Sequence, residues 1–403
     1  MLKLDLFEAS ALEEGRSILD FWLSYQDPRG GFYGYSDFKG AINKDAPKGV
    51  LLHSRILYAF SNGYLATGDR RYLKAAEHCY RFLSGPALDE AEGGVYWMLD
   101  ADCKPTDTQK HVYNQGFAIY ALSEYYLASG DSQALELARN IFSLVEEHAY
   151  DKENGGYLEA FDRHWDEARN DLVCDTAEGV LAEKSMNTHL HVLEAYTKLY
   201  EACGDELCGR RMEELALLMC RKVVMPSLHF GLFFSRDWKC VSHDVSFGHD
   251  IEGSWLMDLA AALCPTRAAR SEIRSLTSKM AAQCNREAFD SNGALFNEFR
   301  DGHLLDADRI WWVQAEGMVG FMNAFEKDHE QEYLKRSQGL FDVIKNTLKD
   351  RVGGEWFWKT NRAGKPYEDT PKVEPWKCPY HNSRACFEIC RRVEKLKQGG
   401  LNF

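Results

Sequence analysis

The sequence predicts an all-α fold, an (α/α)6 barrel: a closed toroid of six helix pairs with short β-hairpins and long loops at one end. Three observations carry that prediction. Six short Gly-aromatic motifs recur along the 403 residues: Gly30-Gly31-Phe32-Tyr33, Gly93-Gly94-Val95-Tyr96-Trp97, Gly155-Gly156-Tyr157, Phe230-Gly231-Leu232-Phe233-Phe234, Asn292-Gly293-Ala294-Leu295-Phe296 and Gly353-Gly354-Glu355-Trp356. Their marker glycines, Gly31, Gly94, Gly156, Gly231, Gly293 and Gly354, stand 63, 62, 75, 62 and 61 residues apart, and a sustained period of that size means one supersecondary unit copied along the chain. Between the motifs, apolar residues fall at helical spacing. Finally, Gly68-Asp69, Gly130-Asp131 and Gly204-Asp205 recur at one phase of the repeat, with Gly supplying a left-handed helix end and Asp starting the next helix.

Taken in order, each unit opens with an extended Gly-rich piece carrying alternating aromatics and continues into two helical stretches. The first unit places a helix over 54–65 before Gly68, the second over 114–129 before Gly130, and the third over 186–203 before Gly204. The fourth and fifth place theirs over 251–263 and 315–327. Residues 358–379 break the rhythm with prolines and little periodicity. They read as a long loop, and long ordered loops on a rigid scaffold often carry function.

The repeat runs without a break, so residues 1–403 are read as a single domain. A formal charge of −14 argues against nucleic acid or an anionic membrane as partner. No stretch of about 18 apolar residues is present, and Met1-Leu2-Lys3-Leu4-Asp5 lacks the apolar core of a secretion signal. Twelve scattered cysteines fit reduced thiols, hence a cytoplasmic protein. No Gly-rich phosphate-binding motif occurs, so no nucleotide cofactor is expected.

The starts of the helices that follow the Gly-rich hairpins carry the unusual polar residues. His249, Glu252 and Trp255 are spaced by three and share a face. Asn187 and His191 share one at a four-residue step, as do Trp312 and Glu316. Arg55 sits early in a helix whose face continues through the small Ala59 and Gly63. His381 follows the proline-broken loop. Five polar clusters at the inner-helix phase imply a polar cavity, because that face would otherwise be apolar.

Three other readings compete. Metal binding has ligand types in His189, His191, His243, the His249/Glu252 pair, and Cys378 with His381, Cys386 and Cys390. A closed zinc site wants thiols paired at C-x₂₋₄-C spacing, but Cys386 and Cys390, one helical turn apart, more simply pack as two small apolar residues in a core, so no metal is expected. Glycoside hydrolysis needs two opposed carboxylates, for which Glu252 and Glu316 are the candidates. A non-catalytic scaffold would have an apolar or plugged cavity. Clustered imidazoles favour proton transfer near neutral pH.

The stretches Leu52-His53-Ser54-Arg55-Ile56, Met186-Asn187-Thr188-His189-Leu190-His191, Gly248-His249-Asp250-Ile251-Glu252, Trp311-Trp312-Val313-Gln314-Ala315-Glu316 and Trp376-Lys377-Cys378-Pro379-Tyr380-His381-Asn382 resemble the cellobiose 2-epimerases of the N-acylglucosamine 2-epimerase superfamily, over essentially the whole chain. The resemblance implies cofactor-free inversion at C2 of the reducing-end glucose of a β-1,4-linked disaccharide such as cellobiose, lactose or mannobiose, by a monomer. Ring opening, proton transfer through a cis-enediolate and ring closure would follow in turn. By the same resemblance, His249 and His381 are the proton-transfer pair. Glu252 raises the pKa of His249 and orients it, Arg55 stabilises the enediolate, and His191 with Asn187 holds ring hydroxyls and assists opening. Trp312 and Trp376 stack on sugar, Tyr113 and Asn114 contact hydroxyls, and Trp255 and Glu316 complete the substrate-binding set. Trp376, on the loop before His381, is expected to affect both binding and rate, and Trp312 binding alone. An aldose–ketose isomerase or an N-acyl-sugar 2-epimerase on the same scaffold is the alternative.

Overall fold

Which ring a helix joins follows from how its apolar residues are spread. The computed structural model describes residues 2–170 and 182–399. Twelve α-helices lie among them: α1 (Leu2–Leu23), α2 (Val50–Thr67), α3 (Arg70–Leu83), α4 (Val112–Ser129), α5 (Ser132–His148), α6 (Met186–Cys203), α7 (Glu206–Leu218), α8 (Phe247–Leu263), α9 (Arg267–Glu287), α10 (Trp311–Asp328), α11 (Gln331–Val343) and α12 (Tyr380–Lys397). Every residue of α2 from Val50 to Gly63 is buried, and the other even-numbered helices are buried nearly all round over their first turns. A helix apolar on all faces must have neighbours on all faces, so these six form the inner ring. The odd-numbered helices bury one side only, as α5 does with Ala134, Ala138, Ile141, Phe142 and Val145.

Each inner helix packs on the next, from α2 through α4, α6, α8 and α10 to α12, and α12 returns to α2. The fold is an (α/α)6 barrel. Among the described residues no helix is long and apolar enough to cross a membrane.

One unit departs from the sequence reading. The sixth contributes a single helix, α12, and its outer partner is α1, which precedes the first Gly-aromatic motif. Tryptophans staple this closure: Trp356 Nε1 donates to Glu14 Oε1 at 2.8 Å, and Trp22 Nε1 to Glu355 Oε1 at 3.2 Å.

The Gly-Asp turns have the geometry the sequence implies. Gly68, Gly130 and Gly204 end α2, α4 and α6 with φ of 70°, 75° and 64°, and the carboxylates of Asp69, Asp131 and Asp205 accept backbone N–H groups of α3, α5 and α7. A Cβ at Gly130 would meet nothing within 4 Å. Gly130→Ala is therefore expected to cost about 1–2 kcal/mol through backbone conformation alone, read as a lower Tm with unchanged catalysis. An unshifted Tm would show that the turn relaxes.

Two repeated devices aim the inner helices. A short strand before each of five of them pairs antiparallel with a strand of the next unit, as Lys48–Gly49 does with Met98–Leu99. A buried cation in that strand, or just before α12, grips the aspartate of its hairpin. The pairs are Lys48–Asp27 (2.9 Å), Lys110–Asp89 (3.0 Å), Lys184–Asp151 (2.7 Å), Arg309–Asp290 (3.5 Å) and Lys372–Asp350. The fourth residue of the helix then takes the hairpin's backbone N–H. His53 accepts from Phe32, Gln115 from Val95, His189 from Tyr157, Asp250 from Phe230 and Gln314 from Leu295, at 2.7–2.9 Å. His189 is thus a structural histidine and no metal ligand.

Candidate active site

With the fourth residue turned to the hairpin, the second and sixth face the barrel axis, being one helical step of four apart. In α2 the sixth residue is Arg55. In α4 the pair is Tyr113 and Phe117, in α6 Asn187 and His191, in α8 Gly248 and Glu252, and in α10 Trp312 and Glu316; in α12 the second residue is His381. Six helix N-termini converge here, so their dipoles favour negative charge in the space between them.

That space is a cavity of 230 Å³ lined by Arg55, Tyr113, Asn187, His191, His249, Glu252, Trp311, Trp312, Trp358, Trp376 and His381. Ligand pockets for drug-sized molecules run to roughly 300–1,000 Å³, so this one suits a single sugar ring. A cavity of 310 Å³ lies toward the opposite ends of the inner helices, between Tyr58, Tyr120, Trp255 and residues of α12. Among the described residues no imidazole lines it, and lining charges pair with each other, as Lys198 does with Glu201 at 2.8 Å and Arg392 with Glu326 and Glu388. The chemistry belongs to the smaller cavity.

Both histidines proposed for proton transfer turn Nδ1 into the protein. His381 Nδ1 lies 2.7 Å from Glu316 Oε1, and His249 Nδ1 lies 2.8 Å from the Ser246 hydroxyl. Among the described residues nothing bonds either Nε2. Burial holds His249 down to about 3, and burial, then Arg384, Arg55 and His191, hold His381 well below the usual range. His191 Nδ1 is 2.9 Å from Glu194 Oε2. Burial opposes the charge on Glu194, but Arg384 and His191 outweigh it and hold the carboxyl at about 2.

Arg55 is 2 % exposed. Its Nη2 donates to the Tyr113 hydroxyl at 2.6 Å and its guanidinium lies 4.3 Å from the Phe117 ring centre, with no ion pair among the described residues. Four buried polar atoms on cavity-lining residues have no partner among the described residues: Arg55 Nε, Asn187 Oδ1, Glu252 Oε2 and Trp311 Nε1. Such groups are costly unless something fills them, and a polyhydroxylated ligand offers both donors and acceptors.

Four sequence expectations are corrected. Asn114 is fully buried and donates to the Tyr96 carbonyl at 2.8 Å, because the third position of α4 faces the hairpin strand. Trp255, 1 % exposed, lies below the cavity and donates to Glu316 Oε2 at 3.0 Å. Glu316 is itself fully buried beneath His381 and outside the cavity lining. Glu252 does not pair with His249: its Oε1 turns to Arg384 Nη2 at 2.8 Å. Burial, then the neighbouring Glu316, push its carboxyl well up.

Sequence reasoning also missed two tryptophans. Trp311 carries an unpartnered indole N–H, and Trp358 lies 5.0 Å from it, ring centre to ring centre. The doubled Trp311-Trp312 at a helix start was the available signal for the first. For Trp358 the only signal was its place at the start of the 358–379 loop.

The carboxylate and metal readings fail on the same geometry. Ligand atoms of Glu252, Glu316 and His381 lie within 4.8 Å of one another, but Arg384 Nη2 already sits between the two carboxylates, 2.8 and 2.7 Å from their Oε1 atoms. A glycosidase pair stands about 5–9.5 Å apart across the sugar. These two instead share one guanidinium, and Cys386 and Cys390 are buried in the core.

Known proteins resemble this chain in both sequence and fold. Residues 31–385 match the N-acylglucosamine 2-epimerase (GlcNAc 2-epimerase) family. A cellobiose 2-epimerase of Ruminococcus albus is 41% identical over 378 residues, covering 93% of this chain and 96% of that one. Another, of Dictyoglomus turgidum, is 39% identical over 396 residues, covering 98% and 99%. The solved structure of cellobiose 2-epimerase from Spirochaeta thermophila superposes with a TM-score of 0.91 at 37% identity, covering 98% of this chain and 99% of that one.

Proposed function

The chain belongs to the N-acylglucosamine 2-epimerase family, and from that premise we propose that it is a cellobiose 2-epimerase, inverting C2 of the reducing-end glucose of β-1,4-linked disaccharides. The observation that carries this reading is a buried, ring-sized cavity with two imidazoles offering Nε2 and an Arg55 that forms no ion pair among the described residues.

The opened sugar has an aldehyde at C1, which acidifies the C2 proton. One imidazole takes that proton while the other returns one to the opposite face, so the pair holds one extra proton between them. Glu316 suits His381 to the base role: its carboxylate accepts the Nδ1 proton, leaves Nε2 free, and stabilises the imidazolium once formed. Ser246 offers His249 a hydroxyl, which donates or accepts and so fits either tautomer. The imidazolium of His249 has no carboxylate to hold its proton and releases it readily. In the reverse direction the two exchange roles. Charge develops on the enediolate oxygens, where the fixed guanidinium of Arg55 and the helix N-termini are worth most. His191, backed by Glu194, and the Asn187 amide carbonyl are assigned to the hydroxyls involved in ring opening. A cytoplasmic monomer completes the reading.

Trp312 and Trp376 are half-buried on the cavity wall and serve as sugar platforms. The helix position of Trp312 suggests binding alone, but its ring lies 4.7 Å from His249 and 5.6 Å from His381. Trp376 lies 5.8 Å from Tyr113, away from the pair. Losing an aromatic contact of about 0.5–1.5 kcal/mol raises KM roughly 2- to 10-fold in either alanine variant. Trp312→Ala should lower kcat as well, because both rings lose a wall. Steady-state kinetics beside melting curves reads this; a depressed Tm with unchanged KM would mean a core tryptophan.

The reading is tested by proton NMR of cellobiose with the protein in deuterium oxide. A mannose-configured reducing end with deuterium at C2 is expected. A ketose would indicate an isomerase, free glucose a hydrolase, and either as main product overturns the proposal.

A further inference from the structure

Arg384 lies three residues beyond His381 on α12, 1 % exposed and outside the cavity lining, yet it joins carboxylates from three other inner helices. Its Nη1 contacts Glu194 Oε1 of α6. Its Nη2 lies 2.8 Å from Glu252 Oε1 of α8 and 2.7 Å from Glu316 Oε1 of α10. Two of these carboxylates each carry an imidazole: Glu316 carries His381, and Glu194 carries His191. The rings of Trp255 and Tyr380 flank the guanidinium at 4.8 and 4.1 Å, and the Tyr380 hydroxyl donates to Glu194 Oε2 at 2.6 Å. A rigid planar fork serves two sides at once, which an ammonium does not.

We propose that Arg384 is a positioning residue for the reaction: by fixing Glu194 and Glu316 at one point, it locks the His191 and His381 rings with Nε2 toward the sugar. It also keeps the His381 imidazole unprotonated until that ring takes the C2 proton. The proposal rests on the epimerase reading above.

The groups facing His381 are Tyr380 and Arg384 on its own helix, Glu316 of α10, His249 and Glu252 of α8, His191 and Glu194 of α6, and Arg55 of α2. Burial lowers its pKa most, and Arg384 is the first of the charges that lower it further, with Glu194 opposing. Without Arg384, three carboxylates face one another and draw protons onto the cluster. The folded-state pKa of His381 then rises. Since the base must be unprotonated, the acid limb of kcat/KM moves to higher pH.

The test compares Arg384→Met and Arg384→Lys with wild type on cellobiose across pH, beside melting curves. Imidazole ¹⁵N NMR of histidine-labelled protein accompanies it, with His381→Ala and His191→Ala identifying the signals. In Arg384→Met, kcat should fall about 10- to 100-fold at neutral pH, the size seen when an outer hydrogen-bond partner that orients a functional side chain is lost, while KM changes little. The acid limb should move up by about one pH unit or more, kcat should partly recover at alkaline pH, and both imidazole signals should shift. Arg384→Lys keeps the charge, so its acid limb should stay near wild type with a reduced kcat. A wild-type pH profile with unmoved signals in Arg384→Met overturns the proposal, as does a raised KM at unchanged kcat. If Arg384→Met does not fold, wild-type kcat and signals in Arg384→Lys overturn it. The spectra need no turnover: inactivity of the wild type on cellobiose would sink the epimerase reading while leaving the ring-holding role to be decided by the signals.

Discussion

His249→Ala and His381→Ala are each expected to lower kcat/KM for cellobiose by about 10²–10⁴-fold, the usual contribution of a general acid or base, with Tm close to wild type. The fold should survive because neither ring is the sole partner of a buried charge. Without His381, Glu316 keeps Arg384 and Trp255; without His249, only the Ser246 hydroxyl loses a bond. Deuterium adds a sharper readout. Each imidazole serves one face of C2, so a variant lacking one should still exchange the C2 proton of the epimer whose C–H points at the survivor, without inverting it. The two variants should therefore label opposite epimers. More than a tenth of the wild-type rate in either variant would remove that residue from the pair, and labelling of both epimers by one variant would mean that a single base serves both faces.

Five of the inner helices were legible from sequence because each has a hairpin glycine upstream and apolar residues at helical spacing after it. Helical phase fixes which face a residue takes. It does not fix how deep along the axis the side chain ends. Glu252 and Glu316 are both sixth residues with the same phase, yet only Glu252 lines the cavity. The difference lies four residues back. α8 has Gly248 there, which leaves the way open, and a Cβ on it would come within 2.6 Å of the Trp312 ring. α10 has Trp312 itself, which roofs Glu316. Asn114 was misread because position three, which serves His249 in α8, meets the neighbouring strand in α4. α1 was missed as a ring member since its unit lacks a glycine marker, and Arg384 because it acts through other side chains.

Arg55→Met is expected to lower kcat about 10²–10³-fold, the size seen when one group stabilising a developing oxyanion is removed, and to leave Tm unchanged or raise it. The two halves of that expectation share one cause. A buried guanidinium is costly unless paired, and Arg55 has a tyrosine hydroxyl and aromatic faces but no ion pair among the described residues. The buried arginines of α12 are by contrast paired, Arg384 with three carboxylates and Arg392 with Glu326 and Glu388. Arg55 therefore lowers the stability of the resting protein and recovers that loss when an anion forms beside it, which in this reaction is the enediolate. Methionine keeps the length and apolar stem while removing the charge, so the folded state loses a penalty and the transition state loses its counter-ion. Binding of the neutral sugar should change less than turnover, so KM should move little. Kinetics and a melting curve on the same preparation decide between this and a structural arginine. A large fall in Tm with kcat within tenfold of wild type would place Arg55 in the scaffold, and a raised KM at unchanged kcat would make it a binding residue for the ground state.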